Sequence, residues 1–191
     1  MGVMKMKRVF DIVVVVCLAL LLICPILLLI LLVRLTSKGP ILFWSERVGA
    51  HNKFFAMPKF RTMRVNTPTV ATHLLVNPTQ YLTPIGGLLR KTSLDELPQL
   101  WSILIGDMSL VGPRPALFNQ TDLIALRTEF GVHELVPGLT GWAQINGRDE
   151  LPIPVKVQFD VEYLKRCSLK FDLLILWKTF ARVIFQSGIT H

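Results

Sequence analysis

The sequence holds only three cysteines, Cys17, Cys24 and Cys167, which neither make an even disulfide set nor show metal-ligand spacing. That argues against a cystine-stapled secreted domain and leaves small-residue packing in a reducing compartment as their ordinary role. Charge is missing from one long stretch: no charged residue occurs from Ile12 to Val33. Basic residues precede this run, as in a signal peptide, but it is longer than a signal core and no small-x-small cleavage site follows. The chain also has no internal repeat and no low-complexity tract.

What is present starts with that apolar run. At ~1.5 Å rise per residue, a helix of this length reaches across a bilayer core of about 30 Å. It reads as a retained anchor (residues 1–38), and residues 39–191 as one water-soluble domain, the size that 191 residues allow. The formal net charge is +8. That sign suits nucleic acid, a phosphorylated substrate or an anionic membrane, and beside an apolar anchor the membrane surface is the simplest partner. No nucleic-acid role is expected.

Basic residues flank the run on both sides, Lys5, Lys7 and Arg8 before it and Arg34 and Lys38 after it. A single span shows asymmetry under the positive-inside rule, whereas this balance suits a chain with both ends on the cytoplasmic face. Pro25 offers the turn. A proline inside a helix removes one hydrogen bond, clashes with the preceding turn and disfavours helical geometry at Cys24. Carbonyls freed near Leu21 and Leu22 then need a partner at a depth where lipid offers none, and a cysteine thiol is a weak donor. The residues alone leave two forms open, a kinked span and a re-entrant hairpin broken at Cys24-Pro25.

Thr36 to Pro40 ends the anchor. Ile41–Trp44, a polar turn around Gly49–Asn52 and Phe54–Met57 read as a short β-hairpin. The stretch from Val65 to Thr83 reads as loop with short helical pieces. A helix is expected over Leu94–Ile105 with Leu97, Leu100, Trp101 and Leu104 on one face, and another over Asp122–Phe130 ending at Gly131. Val136–Arg148 reads as an ordered loop. Val155 to Tyr163 alternates apolar and polar like a strand, yet Pro154 and the Leu164-Lys165-Arg166 end suit a helix. In the segment Leu173–Phe185, Leu173, Leu176, Trp177, Phe180 and Ile184 share one side, which fits either an interfacial amphipathic helix or a core helix. The fold class is therefore α+β, mainly helical.

The densest polar cluster is Arg90-Lys91-Thr92-Ser93-Leu94-Asp95-Glu96-Leu97-Pro98-Gln99. Ser93-x-x-Glu96 fits a capping box, and two acids suit a first helical turn. Alternatively, Lys59-Phe60-Arg61, Arg90-Lys91 and Gly112-Pro113-Arg114-Pro115 offer the cations and turns that hold phosphates. A carboxylate beside them can bind Mg²⁺ or attack phosphorus.

Taken with Lys7-Arg8-Val9-Phe10-Asp11, Lys59 to Met63, Gly106 to Pro115 and Pro137 to Arg148, these stretches resemble the bacterial sugar transferase family, the small monotopic phosphoglycosyl transferases. The resemblance runs in order along almost the whole chain and fits the minimal form without extra spanning helices. It implies transfer of a phospho-sugar from a UDP-sugar to polyprenol phosphate, usually undecaprenyl phosphate, with UMP released and a covalent aspartyl intermediate. It implies Asp95 as nucleophile and contact for the Mg²⁺ cofactor, and Glu96 as its dyad partner. Lys59, Arg61, Arg90 and Arg114 become candidate phosphate or nucleotide contacts, Pro113 a wall of the uridine pocket, and Arg148 either a contact or a loop brace. The implied location is the bacterial inner membrane, through a re-entrant hairpin at Cys24-Pro25, with the catalytic domain facing the cytoplasm and membrane lipid and later glycosyltransferases as partners. Three departures stand out: Val136 and Gly87 occupy places where the family commonly has a basic residue, and Cys24-Pro25 stands where its break is often Ser-Pro. No pattern identifies the sugar.

Overall fold

A computed structural model of the protein describes residues 2–68, 77–147 and 151–185. The chain opens with α1 (Gly2–Leu21) and α2 (Ile23–Thr36), which meet at Leu22. No single helix among the described residues is long and apolar enough to cross a membrane. Lys5–Leu21 and Ile23–Thr36 together would be, but they are bent by 65°.

The bend lies just before the expected break. Cys24 and Pro25 belong to the first turn of α2, where a missing N–H costs least. The ring of Pro25 excludes the carbonyl four residues back, that of Leu21, so the helix breaks upstream of the proline. The ladder closes around the gap, with Leu22 donating to Leu18 O and Ile26 to Leu22 O, both at 2.8 Å.

The hairpin is longer than its apolar cores suggested. Strand β1 (Leu42–Val48) pairs antiparallel with β2 (Phe54–Phe60), from Leu42 opposite Phe60 to Val48 opposite Phe54. Pro58 is tolerated because β2 lies at the edge of its sheet. Next come α3 (Gly86–Lys91), a 3₁₀ turn over Leu94–Glu96, and α4 (Gln99–Ile105). The expected single helix from Leu94 is thus divided, and its buried face is Leu100 and Ile103, with Trp101 exposed. Strand β3 (Ser109–Val111) leads to β4 (Ala116–Leu117) beside β1, and α5 (Thr121–Glu129) ends before left-handed Gly131 as expected.

The Val136–Arg148 region holds more order than a loop. Strand β5 (Gly138–Thr140) pairs parallel with β3, and α6 (Trp142–Ile145) follows. Val155 to Tyr163 is helical, within α7 (Ile153–Arg166), so the proline at its start outweighs the period of two. The last element is α8 (Leu169–Phe185).

The main core joins Val15 of α1 to Met57, Leu100, Ile103, Leu110, Tyr163 and Ile175. A second cluster packs Leu29 and Val33 of α2 against Phe60 and Leu89. Both limbs of the bent pair therefore dock on the same folded body. Polar contacts reinforce the first. Lys7 Nζ pairs with Asp172 Oδ2 at 2.6 Å and donates to Val111 O at 2.9 Å. Arg8 caps the last carbonyls of α4 at Ile103 and Leu104, and Asp11 accepts from Ser109 Oγ at 2.7 Å. Of the basic residues ahead of the apolar run, expected to mark membrane sidedness, Lys7 and Arg8 are bound into the fold and Lys5 is exposed.

Candidate active site

The carboxylates Asp95 and Glu96 lie on the 3₁₀ turn between α3 and α4, but no capping box forms there. Ser93 has a left-handed φ of 56° and its side chain makes no capping bond. Glu96 instead turns to two cations: Lys59 Nζ of β2 donates to its Oε1 at 2.8 Å, and Arg114 Nη2 donates to the same oxygen at 3.3 Å. Burial opposes ionisation of Glu96, but Lys59 and Arg114 outweigh it and hold the carboxyl well below the usual range. Burial likewise pushes the Lys59 ammonium down, with Glu96 opposing.

Asp95 is also buried, at 7% exposure, and its balance is the reverse. Burial pushes its carboxyl above the ordinary aspartate range, with Glu96 adding to the rise and Lys59, Arg90 and Arg114 pulling down. Among the described residues, no side chain donates a hydrogen bond to it. Adjacent acids thus differ by partners: one is locked in ion pairs, and the other is desolvated with its lone pairs open.

The turn that carries Arg114 is built from two glycine-bearing segments in contact. A Cβ on Gly138 would fall 2.0 Å from Gly112 N, and one on Gly141 would fall 2.0 Å from Gly112 O. Only glycine lets β5 and its exit come so close to the Gly112–Pro115 turn. Gly138 N then donates to Pro113 O at 2.9 Å. Pro113 and Pro115 line a small cavity with Pro137, Arg127 and His133.

Of the expected site residues, Lys59, Arg90, Arg114, Asp95 and Glu96 act on one another, and Pro113 flanks them on the Arg114 turn. Arg61 is not among the charges acting on either carboxylate: its Nε donates to Pro40 O at 2.7 Å and its guanidinium lies 6.0 Å from the Phe43 ring centroid. Cys24 and Pro25 sit at the helix bend, and Arg148 lies outside the described residues. At Gly87 an added Cβ would meet only Leu82 Cδ1, at 3.7 Å, so a longer side chain has room. Val136 offers its backbone: its carbonyl would lie 2.4 Å from a Cβ on Gly112.

Several polar contacts lay beyond the sequence reading, namely Lys7 with Asp172 and Tyr163, Asp11 with Ser109, and Arg127 with Asp160. One signal was available for the last. Asp160 falls at helical spacing from Val157 and Tyr163, where a charge on an apolar stripe calls for a partner. As for a metal, no group of three or more His, Cys, Asp or Glu side chains is arranged to hold one among the described residues. The donor set still suits Mg²⁺, which is commonly bound by one or two carboxylates completed by substrate phosphates and water. Of the two carboxylates, Asp95 would be the one available to it, since Glu96 Oε1 already accepts from two cations.

Comparison with known proteins matches residues 3–186 to the model of the bacterial sugar transferase family. The chain is 43% identical to an uncharacterized sugar transferase, EpsL, of Bacillus subtilis, over 97% of this chain and 91% of that one. It is 42% identical to the UDP-glucose:undecaprenyl-phosphate glucose-1-phosphate transferase of Escherichia coli, over 91% of this chain and 39% of that protein. It is 36% identical to the undecaprenyl-phosphate galactose phosphotransferase of Salmonella typhimurium, over 96% of this chain and 41% of that protein. The segments that build the carboxylate site, from Lys59 to the Gly138–Gly141 approach, all lie within the matched stretch, and the chain belongs to the bacterial sugar transferase family.

Proposed function

We propose that the protein transfers a sugar 1-phosphate from a UDP-sugar to polyprenol phosphate, in the manner of undecaprenyl phosphate, and releases UMP. The observation that carries this reading is the open, desolvated Asp95 carboxylate beside three cations, Lys59, Arg90 and Arg114. The names of the relatives, one a UDP-glucose:undecaprenyl-phosphate glucose-1-phosphate transferase and one an undecaprenyl-phosphate galactose phosphotransferase, support it.

Asp95 attacks the β-phosphorus of the donor. One Asp95 oxygen forms a bond to phosphorus, the bond from that phosphorus to the bridging oxygen breaks, and UMP leaves. An oxygen of the acceptor phosphate then attacks the same phosphorus and expels the Asp95 carboxylate, giving polyprenyl diphosphate sugar. Two displacements let a soluble donor and a lipid acceptor use one site in turn. Burial raises the basicity of Asp95 and strips it of water, while the cations offset charge on the phosphates. Glu96 stays ionised and holds Lys59 and Arg114 in place, with one Oε1 accepting from both. Mg²⁺, held by Asp95 and the donor's phosphates, would supply further charge neutralisation.

The catalytic domain sits at the membrane surface in this reading. Val13, Val16, Leu20, Leu27, Leu28 and Leu31 of the bent pair are exposed, as are Trp101 of α4 and Trp177 and Phe180 of α8. Exposed apolar residues with tryptophan suit a membrane interface. Docking of both α1 and α2 on one folded body supports a hairpin that enters and leaves the bilayer on the same side, with the catalytic part facing the cytoplasm. The test is UMP release with Mg²⁺, undecaprenyl phosphate and a panel of UDP-sugars. The reading expects acceptor-dependent turnover with at least one donor. Multiple UMP per enzyme without acceptor would instead identify a hydrolase.

A further inference from the structure

Away from the carboxylate pair, the molecule buries a second arginine and aspartate, Arg127 of α5 and Asp160 of α7, at 8% and 1% exposure. Arg127 Nε and Nη2 donate to the same oxygen, Asp160 Oδ2, at 2.9 and 2.7 Å. The remaining nitrogen, Nη1, donates to the backbone carbonyl of Arg114 at 2.8 Å. That carbonyl belongs to the turn whose side chain reaches Glu96.

The turn needs such help. Pro113 and Pro115 supply no N–H, so apart from Gly112 N, which donates to Thr140 O at 2.9 Å, the turn is held through its carbonyls. These are held from three directions: Pro113 O by Gly138 N at 2.9 Å, Arg114 O by Arg127, and Pro115 O by Arg47 Nη1 at 3.2 Å. Apolar residues would join α5 to α7 as well; the third bond, besides satisfying a buried donor, ties the pair to the Arg114 turn.

We propose that Arg127, oriented by Asp160, is a positioning residue that fixes the backbone of Arg114 and so aims its guanidinium at Glu96 and at the donor's diphosphate. This rests on the function proposed above. The planar fork matters: it grips Asp160 with two N–H groups while a third points along a fixed direction to the carbonyl, which an ammonium at the same place does not reproduce.

The test is a double-mutant cycle on the full chain in detergent, with Arg127→Lys and Asp160→Asn each placed in the native and the Arg114→Ala backgrounds. Two readouts are taken, kcat/KM for the UDP-sugar and the affinity for UDP, which needs no turnover. In the native background either substitution is expected to lower both by about tenfold or more, and with Arg114→Ala by less than about threefold, because no guanidinium remains to be misplaced. The fall in thermal midpoint should be the same in both backgrounds. Equal losses in both backgrounds would overturn the proposal, as would full UDP affinity in both Arg127→Lys and Asp160→Asn, or an Arg114→Ala variant that binds UDP normally. If one variant does not fold, the other carries the cycle; if neither folds in either background, the pair is structural and the proposal fails. Coupling in UDP affinity without any sugar-phosphate transfer would retire the proposed reaction and leave the positioning role standing. Transfer without coupling would do the reverse.

Discussion

Around Asp95 and Glu96, three cations face two carboxylates, and Asp95 keeps its oxygens free of side-chain donors among the described residues. Around Asp172 the polar groups are closed on one another: Lys7 holds one oxygen at 2.6 Å and the Tyr163 hydroxyl donates to the other at 2.7 Å. Burial is similar in the two regions, so burial alone does not separate them. A buried charge that serves the fold has all its bonding capacity used, whereas one that serves chemistry is left with capacity for a ligand. The surplus of positive charge near Asp95 is the complement of a diphosphate.

The sharpest way to break that contrast is to remove the open charge. Asp95→Asn is expected to lower kcat by at least about 10⁴-fold, on the order of 5 kcal/mol of barrier. The thermal midpoint at pH 7 should hold or rise. The sign follows from linkage: Asp95 titrates above its unfolded value, so its ionised form costs stability at neutral pH, and the cost is relieved as pH falls through the folded value. A clear fall in midpoint for Asp95→Asn would contradict the open-site reading.

Removing a closed charge should do the opposite. Asp172→Ala strands Lys7 and Tyr163, and breaking a buried pair costs about 3–5 kcal/mol. Chemical denaturation should register that loss, while the activity per folded molecule stays within about threefold. Glu96→Gln lies between the two cases. It releases Lys59 and Arg114 together, so it should lower both stability, by about 1–3 kcal/mol, and kcat/KM. Because the Glu96 carboxyl is held below its unfolded value, its contribution is present above the usual glutamate range and lost as pH falls below it. Stability profiles of the native chain and Glu96→Gln should therefore converge on acidification. Profiles that stay parallel would remove Glu96 from the ion-pair network.

Local chemistry made the hairpin and α5 legible in the sequence: apolar runs flank the polar turn around Gly49–Asn52 in one, and Gly131 stops the other. The carboxylate pair was legible as acids near cations, but not the unequal partners of the two acids, which come from β2 and the Arg114 turn reaching across the fold. Ser93 shows the limit of a motif. Its spacing to Glu96 fits a cap, but its left-handed backbone points the chain elsewhere. The contacts of Lys7 and Arg8 were not readable, because their partners lie about 100 or more residues away. The apolar stripe on α8 was legible, whereas its exposure was not: Phe171 and Ile175 face the core and Trp177, at 67% exposure, faces out.

The smallest expected effect concerns the bend. With α1 and α2 both docked, Pro25→Ala should leave tags at the N-terminus and after Lys38 on the same side of the membrane, because restoring one helical bond does not repay undocking a limb. A tag after Lys38 that becomes accessible from outside would assign the topology to the proline instead.

The most direct test of the central claim is mass spectrometry of the purified chain after incubation with Mg²⁺ and its UDP-sugar, without acceptor. The account predicts about one UMP released per enzyme and a sugar-phosphate adduct on the peptide bearing Asp95, discharged when undecaprenyl phosphate is added and absent in Asp95→Asn. Acceptor-dependent turnover with no adduct at Asp95, or with an adduct that persists in Asp95→Asn, would contradict it.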